Sequence, residues 1–331
     1  MRNRNSANLP PQADRSADSS TVTPPVGSAQ ESTGGAPMGA QMKKKSGVGL
    51  NIMIAVFAIV LLGGIGLLVY PTFANWWNSM HASRAVAGYV ETVKDMSGEQ
   101  KKELLDQAHA YNQQLNTLPN RWHLTDDQME QYNRTLDVTG TGIMGYITIP
   151  KLKVRLPVYH GTEDTVLQIA GGHLAGSSLP VGGKGTHTAV SGHTGLPSAK
   201  LFTGLDSLKV GDTFAYHVLD ETYTYQVDQI RTVLPNEMRD LDFDPNQDYS
   251  TLITCTPYGI NSHRLLVRGH RIPNPVEDTT DYVKADRDQT MVVIVAAILI
   301  LLFIAWVISL IVRRNKKTAV PDQGRHIRRK Q

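Results

Sequence analysis

Hydrophobic positions form three kinds of pattern along the chain. One continuous apolar run covers residues 50–70 and a second covers residues 291–312. Each has roughly the 20 residues that a helix needs to cross a bilayer core. Between the two runs, the chain first shows helical spacing and then short segments in which apolar and polar residues alternate. The sequence therefore predicts two membrane helices, at residues 48–70 and 291–312, around one mainly β domain.

The two ends of the chain differ in composition from the rest. Residues 1–47 are rich in Ser, Pro, Gly and Ala, which is typical of a disordered leader. A cleaved signal peptide is an alternative for the first run, but the long leader and the length of the run favour an uncleaved anchor. Lys43, Lys44 and Lys45 precede the first run, and residues 313–331 form a basic tail after the second. The positive-inside rule then predicts both termini in the cytoplasm and the intervening domain outside.

The distribution of charge agrees with this division. The 331 residues carry a net charge of +3, but residues 1–47 and 313–331 together hold 14 basic and 4 acidic residues. The middle of the chain is left with 19 basic and 26 acidic residues. The basic ends therefore suit the anionic surface of a lipid bilayer, and no motif indicates binding to nucleic acid.

The exterior part begins with a helical arm. Apolar residues between positions 81 and 115 recur at helical spacing, and residues 97–100 interrupt them with an N-cap signal for a second helix. Residues 112–141 are polar and predict a long loop, which is either a functional lid or a connector. We assign the arm and this loop to residues 71–141.

From residue 142 onward the pattern predicts an all-β domain. Strands are expected at residues 145–150, 152–159, 187–191, 213–218, 222–230, 231–234, 251–255 and 265–267. Short strands separated by Gly and Pro turns are typical of a sandwich or barrel. We assign this domain to residues 142–275, followed by a linker at residues 276–290.

The single cysteine lies at the end of the strand predicted at residues 251–255. A loop with Pro257 and Gly259 follows Cys255, and Arg264 begins the next strand. The thiol and the guanidinium would then be neighbours, a nucleophile beside a permanent cation. The alternative is that Cys255 is simply a small buried hydrophobic residue. One cysteine allows no internal disulfide, so the core of the domain must stabilise it.

Two histidines are candidates to activate this thiol. His193 follows a predicted strand in a loop with two glycines and a proline, where functional residues concentrate. His173, after two glycines, is nearly as good a candidate, whereas His263 would point to the strand face opposite Arg264. No group of His and carboxylate residues has metal-ligand spacing, so we expect neither a metal nor another cofactor.

Longer strings of residues carry a resemblance to a known family. The Thr-Leu-Ile-Thr-Cys string at residues 251–255, with Arg264 and the Ser-Gly-His string at residues 191–193, resembles the motifs of sortases. The strings at residues 145–150, 172–180 and 255–266 are similar to those of class C sortases, which assemble pili. The resemblance extends from about residue 85 to residue 272.

The resemblance implies a fold and an activity. The fold is an eight-stranded β-barrel with a site formed by Cys255, His193 and Arg264. The activity is that of a cysteine transpeptidase, which cleaves an LPxTG-like sorting signal of a secreted pilin or surface protein through a thioacyl-enzyme. A lysine amine of another pilin then completes an isopeptide bond. The alternatives are a housekeeping sortase that attaches proteins to cell-wall peptide, and a non-catalytic scaffolding module.

One stretch of the chain departs from the class C pattern. Class C members resemble one another in a lid that carries Asp-Pro and an aromatic residue over the catalytic cysteine. The corresponding stretch here is Trp122, His123 and Leu124, and it lacks Asp-Pro. Trp122 is then either the aromatic plug of a lid or an ordinary interface or core residue.

Overall fold

Five helices and eight strands make up the computed structural model, which describes residues 48–275 and 280–318. The helices are α1 (Val48–Asp95), α2 (Gly98–Leu115), α3 (Asp126–Arg134), α4 (Asp164–Leu167) and α5 (Thr280–Thr318). The predicted leader and residues 276–279 of the predicted linker lie outside the described residues.

Parts of α1 and α5 are long and apolar enough to cross a membrane, by length and composition. These parts are Gly49–Asp95 and Thr290–Arg314, whose most apolar stretches have mean hydropathies of 2.9 and 3.3. The two helices contact each other, and the Trp76 indole N–H donates a hydrogen bond to Thr290 Oγ1 at 3.0 Å. The β domain therefore lies, in sequence, between two candidate membrane spans.

The eight strands form a closed barrel in the order β1-β2-β3-β4-β7-β8-β6-β5, which confirms the predicted architecture. The pairs β2–β3 and β4–β7 are parallel and the others are antiparallel. The strands are β1 (Ile143–Ile149), β2 (Val154–His160), β3 (Gly171–His173), β4 (Thr186–Ser191), β5 (Thr213–Val218), β6 (Glu221–Val233), β7 (Asp248–Thr256) and β8 (His263–Ile272).

Two strands differ from the prediction. The sequence pattern misses β3, because two of its three residues are glycine and show no alternation. The strands predicted at residues 222–230 and 231–234 are a single strand, β6, of 13 residues. A register shift between Val227 and Gln229 changes which face the following residues occupy, and this breaks the regular alternation.

Helix α1 passes without interruption through Pro71, where the sequence suggested that the membrane helix ends. Proline removes one backbone hydrogen bond from a helix. The helix continues because its second half packs on β1 and β2, burying Ala82, Val86, Tyr89 and Val93 at helical spacing. The first candidate membrane span and the first part of the arm are therefore one element.

Helix α3 corrects the prediction of a loop over residues 112–141. Both α2 and α3 begin with a capping box, formed by Ser97 with Gln100 and by Thr125 with Gln128. Most polar residues of α3 form its exposed face, while its Tyr132 is completely buried. The polarity of this stretch therefore reflects an amphipathic helix as well as a loop.

The apolar residues form two clusters on opposite faces of the β7–β8 sheet. Leu252 and Val267 belong to the main core inside the barrel. A second cluster, here termed the outer cluster, consists of Ala189, Val233, Leu241, Ile253 and Leu266. Because side chains alternate along a strand, Ile253 shares its face of β7 with Cys255, and Leu266 shares its face of β8 with Arg264.

Candidate active site

The cysteine and the arginine predicted to be neighbours lie directly across from each other on adjacent strands. Cys255 near the end of β7 is the register partner of Arg264 near the start of β8. Cys255 is a free, half-buried cysteine, so it is not the completely buried hydrophobic residue of the alternative interpretation. The Arg264 Nη1 group donates to the carbonyl oxygens of Asn261 at 3.3 Å and His263 at 3.2 Å. These bonds hold the guanidinium beside the β7–β8 loop.

One backbone and one side-chain hydrogen bond hold the His193 segment against the same end of β7. Gly192 N–H donates to the Ile253 carbonyl oxygen at 3.0 Å, and the Thr254 hydroxyl donates to the Gly192 carbonyl oxygen at 2.7 Å. His193 is the next residue, and its side chain is half-buried. The three candidate residues thus come from the end of β4, the end of β7 and the start of β8.

The other histidines have different surroundings. His173 is completely buried, and its ring contacts the Tyr132 hydroxyl at 2.9 Å and the Ser178 carbonyl oxygen at 2.8 Å. Burial lowers the pKa of His173 to about 3, although the bond to Ser178 opposes the shift. A histidine locked in the core cannot exchange protons with a substrate, so His173 has a structural role. His263 is the register partner of Thr256 and alternates in direction with Arg264.

A pocket of about 240 Å³ lies beside the thiol. Beside Cys255, it is lined by one acidic residue, by threonines, by one glycine and by large apolar residues: Asp206, Thr194, Thr203, Thr254, Thr256, Gly204, Leu205, Tyr258 and Leu265. Among the described residues that line it, Asp206 is the one acidic residue, and no basic residue lines it. The space next to the candidate nucleophile is therefore bordered by both polar and apolar residues.

A buried arginine holds the segment that contains Trp122. Arg121 is 8% exposed and donates to the carbonyl oxygens of Gly176 at 2.7 Å and Leu241 at 2.9 Å. Its guanidinium lies 4.0 Å from the ring centroids of both Trp122 and Phe243. Sequence reasoning missed Arg121, because nothing in its local sequence distinguishes it from an exposed basic residue.

The three residues of the expected lid occupy different positions. Trp122 packs on the outer cluster, the face that also carries Cys255 and Arg264. His123 is exposed and bonds the Asn120 side chain at 3.2 Å, whereas Leu124 packs against the main core. Trp122 is therefore the one of the three that contacts the face of the candidate site.

Within the described part of the chain, no group of three or more His, Cys, Asp or Glu side chains is arranged to hold a metal ion. The polar groups at the site are instead a thiol, an imidazole, a guanidinium and several hydroxyls. This set suits nucleophilic acyl chemistry, in which a thiol attacks a carbonyl carbon beside an acid–base group and a hydrogen-bond donor.

Comparisons with known proteins agree with this fold. The model of the sortase domain family matches residues 147–272. The crystal structure of sortase C1 from Streptococcus agalactiae is 53% identical, with a TM-score of 0.56, and the match covers 58% of this chain and 100% of that one. The Clostridium perfringens sortase C structure with a C-terminal cell wall sorting motif is 39% identical, with a TM-score of 0.51 and coverages of 58% and 100%.

Curated relatives match over a shorter stretch. Sortase A of Bacillus anthracis is 33% identical over 144 residues, which are 43% of this chain and 65% of that protein. Sortase A of Streptococcus agalactiae is 30% identical over 117 residues, 34% of this chain and 47% of that protein. The chain thus spans between about half and two thirds of the length of these relatives.

The chain belongs to the sortase family, whose members are cysteine transpeptidases. The solved structures that it resembles at 39–53% identity include class C sortases from Streptococcus agalactiae, Streptococcus pneumoniae and Clostridium perfringens. This agrees with the class to which its sequence strings were similar.

Proposed function

We propose that this protein is a membrane-anchored transpeptidase that polymerises pilin subunits, with Cys255 as nucleophile, His193 as acid–base group and Arg264 as hydrogen-bond donor. The observation that carries the proposal is the direct pairing of Cys255 with Arg264 at the end of the barrel strands, beside a pocket. The attachment of Gly192 to the same strand end supports the inclusion of His193.

In the first half-reaction, the Cys255 thiolate attacks the threonine carbonyl carbon of an LPxTG-like signal. Arg264 donates hydrogen bonds to the developing oxyanion, since a guanidinium presents several N–H donors in one plane. The Thr–Gly amide bond breaks, and the His193 imidazolium protonates the leaving glycine amine. The product is a thioester between Cys255 and the signal. The bound sorting motif in the Clostridium perfringens sortase C structure supports this substrate class.

In the second half-reaction, a lysine amine of another pilin attacks the thioester carbonyl carbon. Neutral His193 takes the amine proton, the C–S bond breaks and an isopeptide bond forms. The pocket beside Cys255 suits the approach of this amine, because Asp206 attracts an ammonium group before its proton is removed. The threonine hydroxyls of the pocket provide acceptors for its hydrogen bonds.

The membrane arrangement follows the charges at the two ends of the chain. Basic residues stand before the first candidate span and after the second, which supports two spans with both termini in the cytoplasm. The barrel, residues 142–275, then faces outward, where a secreted pilin with a sorting signal reaches it. The arm at residues 71–141 connects the first span to the barrel.

Trp122 is proposed as the plug of a lid over the signal-binding face. Together with Leu174 and Met238, it packs on the outer cluster, an apolar strip on the face of Cys255. A signal containing leucine and proline needs such an apolar surface. Trp122 and the signal would then compete for one surface, and Arg121 would hold the closed form.

The proposal is tested by mass spectrometry of the full-length protein in detergent after incubation with an LPxTG peptide. We expect an adduct on Cys255 with the mass of the peptide cleaved after threonine, and no adduct in Cys255→Ala. Addition of a lysine-containing pilin domain should release the adduct as an isopeptide-linked product. Release by a cell-wall peptide amine alone would favour a housekeeping sortase, and no adduct with any signal would favour the scaffolding module.

A further inference from the structure

The segment of residues 194–204, between β4 and a short 3-10 helix at Leu205–Ser207, forms one wall of the candidate site. Its two ends are joined beside His193. Phe202 N–H donates to the His193 carbonyl oxygen at 3.1 Å, and Gly195 N–H donates to Thr203 Oγ1 at 3.0 Å. A shift of this segment therefore moves the backbone of His193.

The middle of the segment is bound to the membrane helix rather than to the barrel alone. The Asn78 side-chain amide donates to the Ser198 carbonyl oxygen at 2.8 Å. Lys200 N–H donates to the Asn75 side-chain oxygen, also at 2.8 Å. Asn75 and Asn78 are three residues apart on α1 and therefore lie on the same helix face. The two bonds bracket Ala199, which is 3% exposed.

The two bonds have opposite polarity. Asn78 acts as a donor to a backbone carbonyl, and Asn75 acts as an acceptor from a backbone N–H. Together they define both the position and the direction of the short stretch at residues 198–200 that lies on α1. An asparagine can make either bond, because its amide carries both a donor and an acceptor.

These contacts lie where α1 leaves the apolar region of the chain. Trp76, between the two asparagines, bonds Thr290 of the second candidate membrane helix. The helix continues from there without a break onto the barrel. The segment beside His193 is thus tied to the base of the anchor, about one to two helical turns past the apolar run.

We infer that Asn75 and Asn78 are positioning residues for His193. This inference rests on the proposed function, in which His193 transfers protons to and from the reacting amines. Such transfer requires the imidazole to be within hydrogen-bond reach of those groups, and small displacements of an acid–base group lower the rate steeply. The two asparagines lie outside the barrel. They restrict the position of His193 through residues 194–204, which are bonded to the His193 carbonyl oxygen.

Other contacts keep the segment folded when the asparagine bonds are lost. Leu201 and Phe202 are buried in the main core, and the Lys200 ammonium donates to the Leu152 carbonyl oxygen at 2.6 Å. Loss of the α1 bonds should therefore loosen the segment around Ser198 without unfolding the barrel. This separates a positioning effect from a loss of folded protein.

The test replaces each asparagine with aspartate in the full-length protein in detergent. Asn78→Asp removes the donor and sets a carboxylate against the Ser198 carbonyl oxygen, whereas Asn75→Asp keeps the acceptor for Lys200 N–H. We expect Asn78→Asp to lower kcat for acylation about tenfold, with KM unchanged to within about twofold, since one bond is lost and a repulsion added. Asn75→Asp should remain within about twofold of the unsubstituted protein, while Asn75→Ala should lose about three- to tenfold in kcat.

Hydrogen exchange provides a second measurement that needs no substrate. The amides of residues 194–204 should exchange faster in Asn78→Asp and Asn75→Ala, but not in Asn75→Asp. The matched control is Asn116→Asp, because Asn116 likewise donates its amide to a carbonyl oxygen, that of Gly185, at 3.0 Å and outside this segment. We expect it to leave both kcat and exchange in the segment unchanged.

Three results would overturn the inference. Asn78→Asp could leave exchange in the segment unchanged, Asn75→Asp could be as damaging as Asn78→Asp, or Asn116→Asp could lower kcat equally. Failure of the unsubstituted protein to form an acyl-enzyme refutes the proposed function instead. In that case the exchange measurement still decides whether the asparagines hold the segment beside His193.

Discussion

Cys255 and Arg264 are register partners across the antiparallel pair of β7 and β8. The pairing fixes the backbones of both residues at the same height on the barrel. The strand residues before Cys255 and after Arg264 are buried, so this edge of the site is anchored in the core. The side chains of the two residues therefore project from neighbouring positions on the same face of the sheet.

Replacing Arg264 with lysine should lower the rate of acylation of Cys255 about 100- to 1000-fold. Lysine keeps the charge but loses the planar, two-pronged donor geometry that suits an oxyanion or a peptide backbone. Stopped-flow or quenched mass spectrometry of adduct formation measures this rate. Arg268→Lys is the control, since Arg268 lies on the same strand but binds Asp228 at 3.0 Å. Equal effects of the two substitutions would contradict the role of Arg264.

Replacing Arg121 with alanine should speed labelling of Cys255 by a thiol reagent several-fold. The substitution removes both carbonyl bonds and the ring contacts that hold Trp122 on the outer cluster. It should also lower the free energy of unfolding by about 1–3 kcal/mol, because two buried acceptors lose their partner. Arg134→Ala, which breaks an exposed pair with Glu130, is the control. An unchanged labelling rate in Arg121→Ala and in Trp122→Ala would argue against a lid.

Replacing Asp206 with asparagine should weaken the second half-reaction and spare the first. We expect KM for a lysine acceptor to rise about two- to fivefold, the effect of losing one exposed charge pair. Hydroxylamine, which is largely uncharged at neutral pH, should release the acyl-enzyme equally well from both proteins. High salt should reduce the difference, because it screens the attraction. A slower acylation step would instead indicate that Asp206 acts on the signal or on Cys255.

The stability of the domain should fall as the pH decreases from 7 to 5. Burial lowers the pKa of His173 to about 3 and that of His187 and His217 to about 4, from an ordinary value of 6.5. Below about pH 6.5 the unfolded chain binds protons that the folded chain does not, so acid favours unfolding. Each histidine contributes up to about 2 kcal/mol between pH 7 and 5.

Urea unfolding of the full-length protein in detergent at several pH values measures this dependence. The slope of the unfolding free energy against pH gives the number of protons taken up on unfolding. His173→Gln should reduce that number by about one. His123→Gln is the control, because His123 is exposed and should leave the pH dependence as it was. A pH dependence that is the same in His173→Gln would show that another group takes up the proton.

Much of this fold was predictable from local patterns. Strand β5 alternates between apolar and other residues, β7 is rich in β-branched residues, and the only cysteine lies near the end of β7. Pro257 and Gly259 predicted a short loop after this cysteine, and the loop placed Arg264 next to it on the following strand. Helix α3 was not predicted, because its residues are mainly polar. The capping box of Thr125 and Gln128 is a sequence signal that could have indicated it.

The contacts that organise the site from a distance were not predictable in this way. Arg121 bonds residues 55 and 120 positions away, and Asn78 bonds Ser198, 120 positions away. The periodicity of a local sequence does not predict contacts between such distant residues, because each contact depends on how the arm packs against the folded barrel. The burial of His173 likewise depends on Tyr132 of α3, an element absent from the predicted fold.

The unbroken course of α1 from the apolar run to the barrel wall has a kinetic consequence. The helix has 48 residues and a length of about 70 Å, and in the proposed membrane arrangement it would hold the barrel at a constant height above the lipid. The search for partners is then two-dimensional, and lateral diffusion in the bilayer sets the encounter rate. Proteins anchored in the same leaflet meet the barrel at a high effective concentration, whereas released proteins must return from solution.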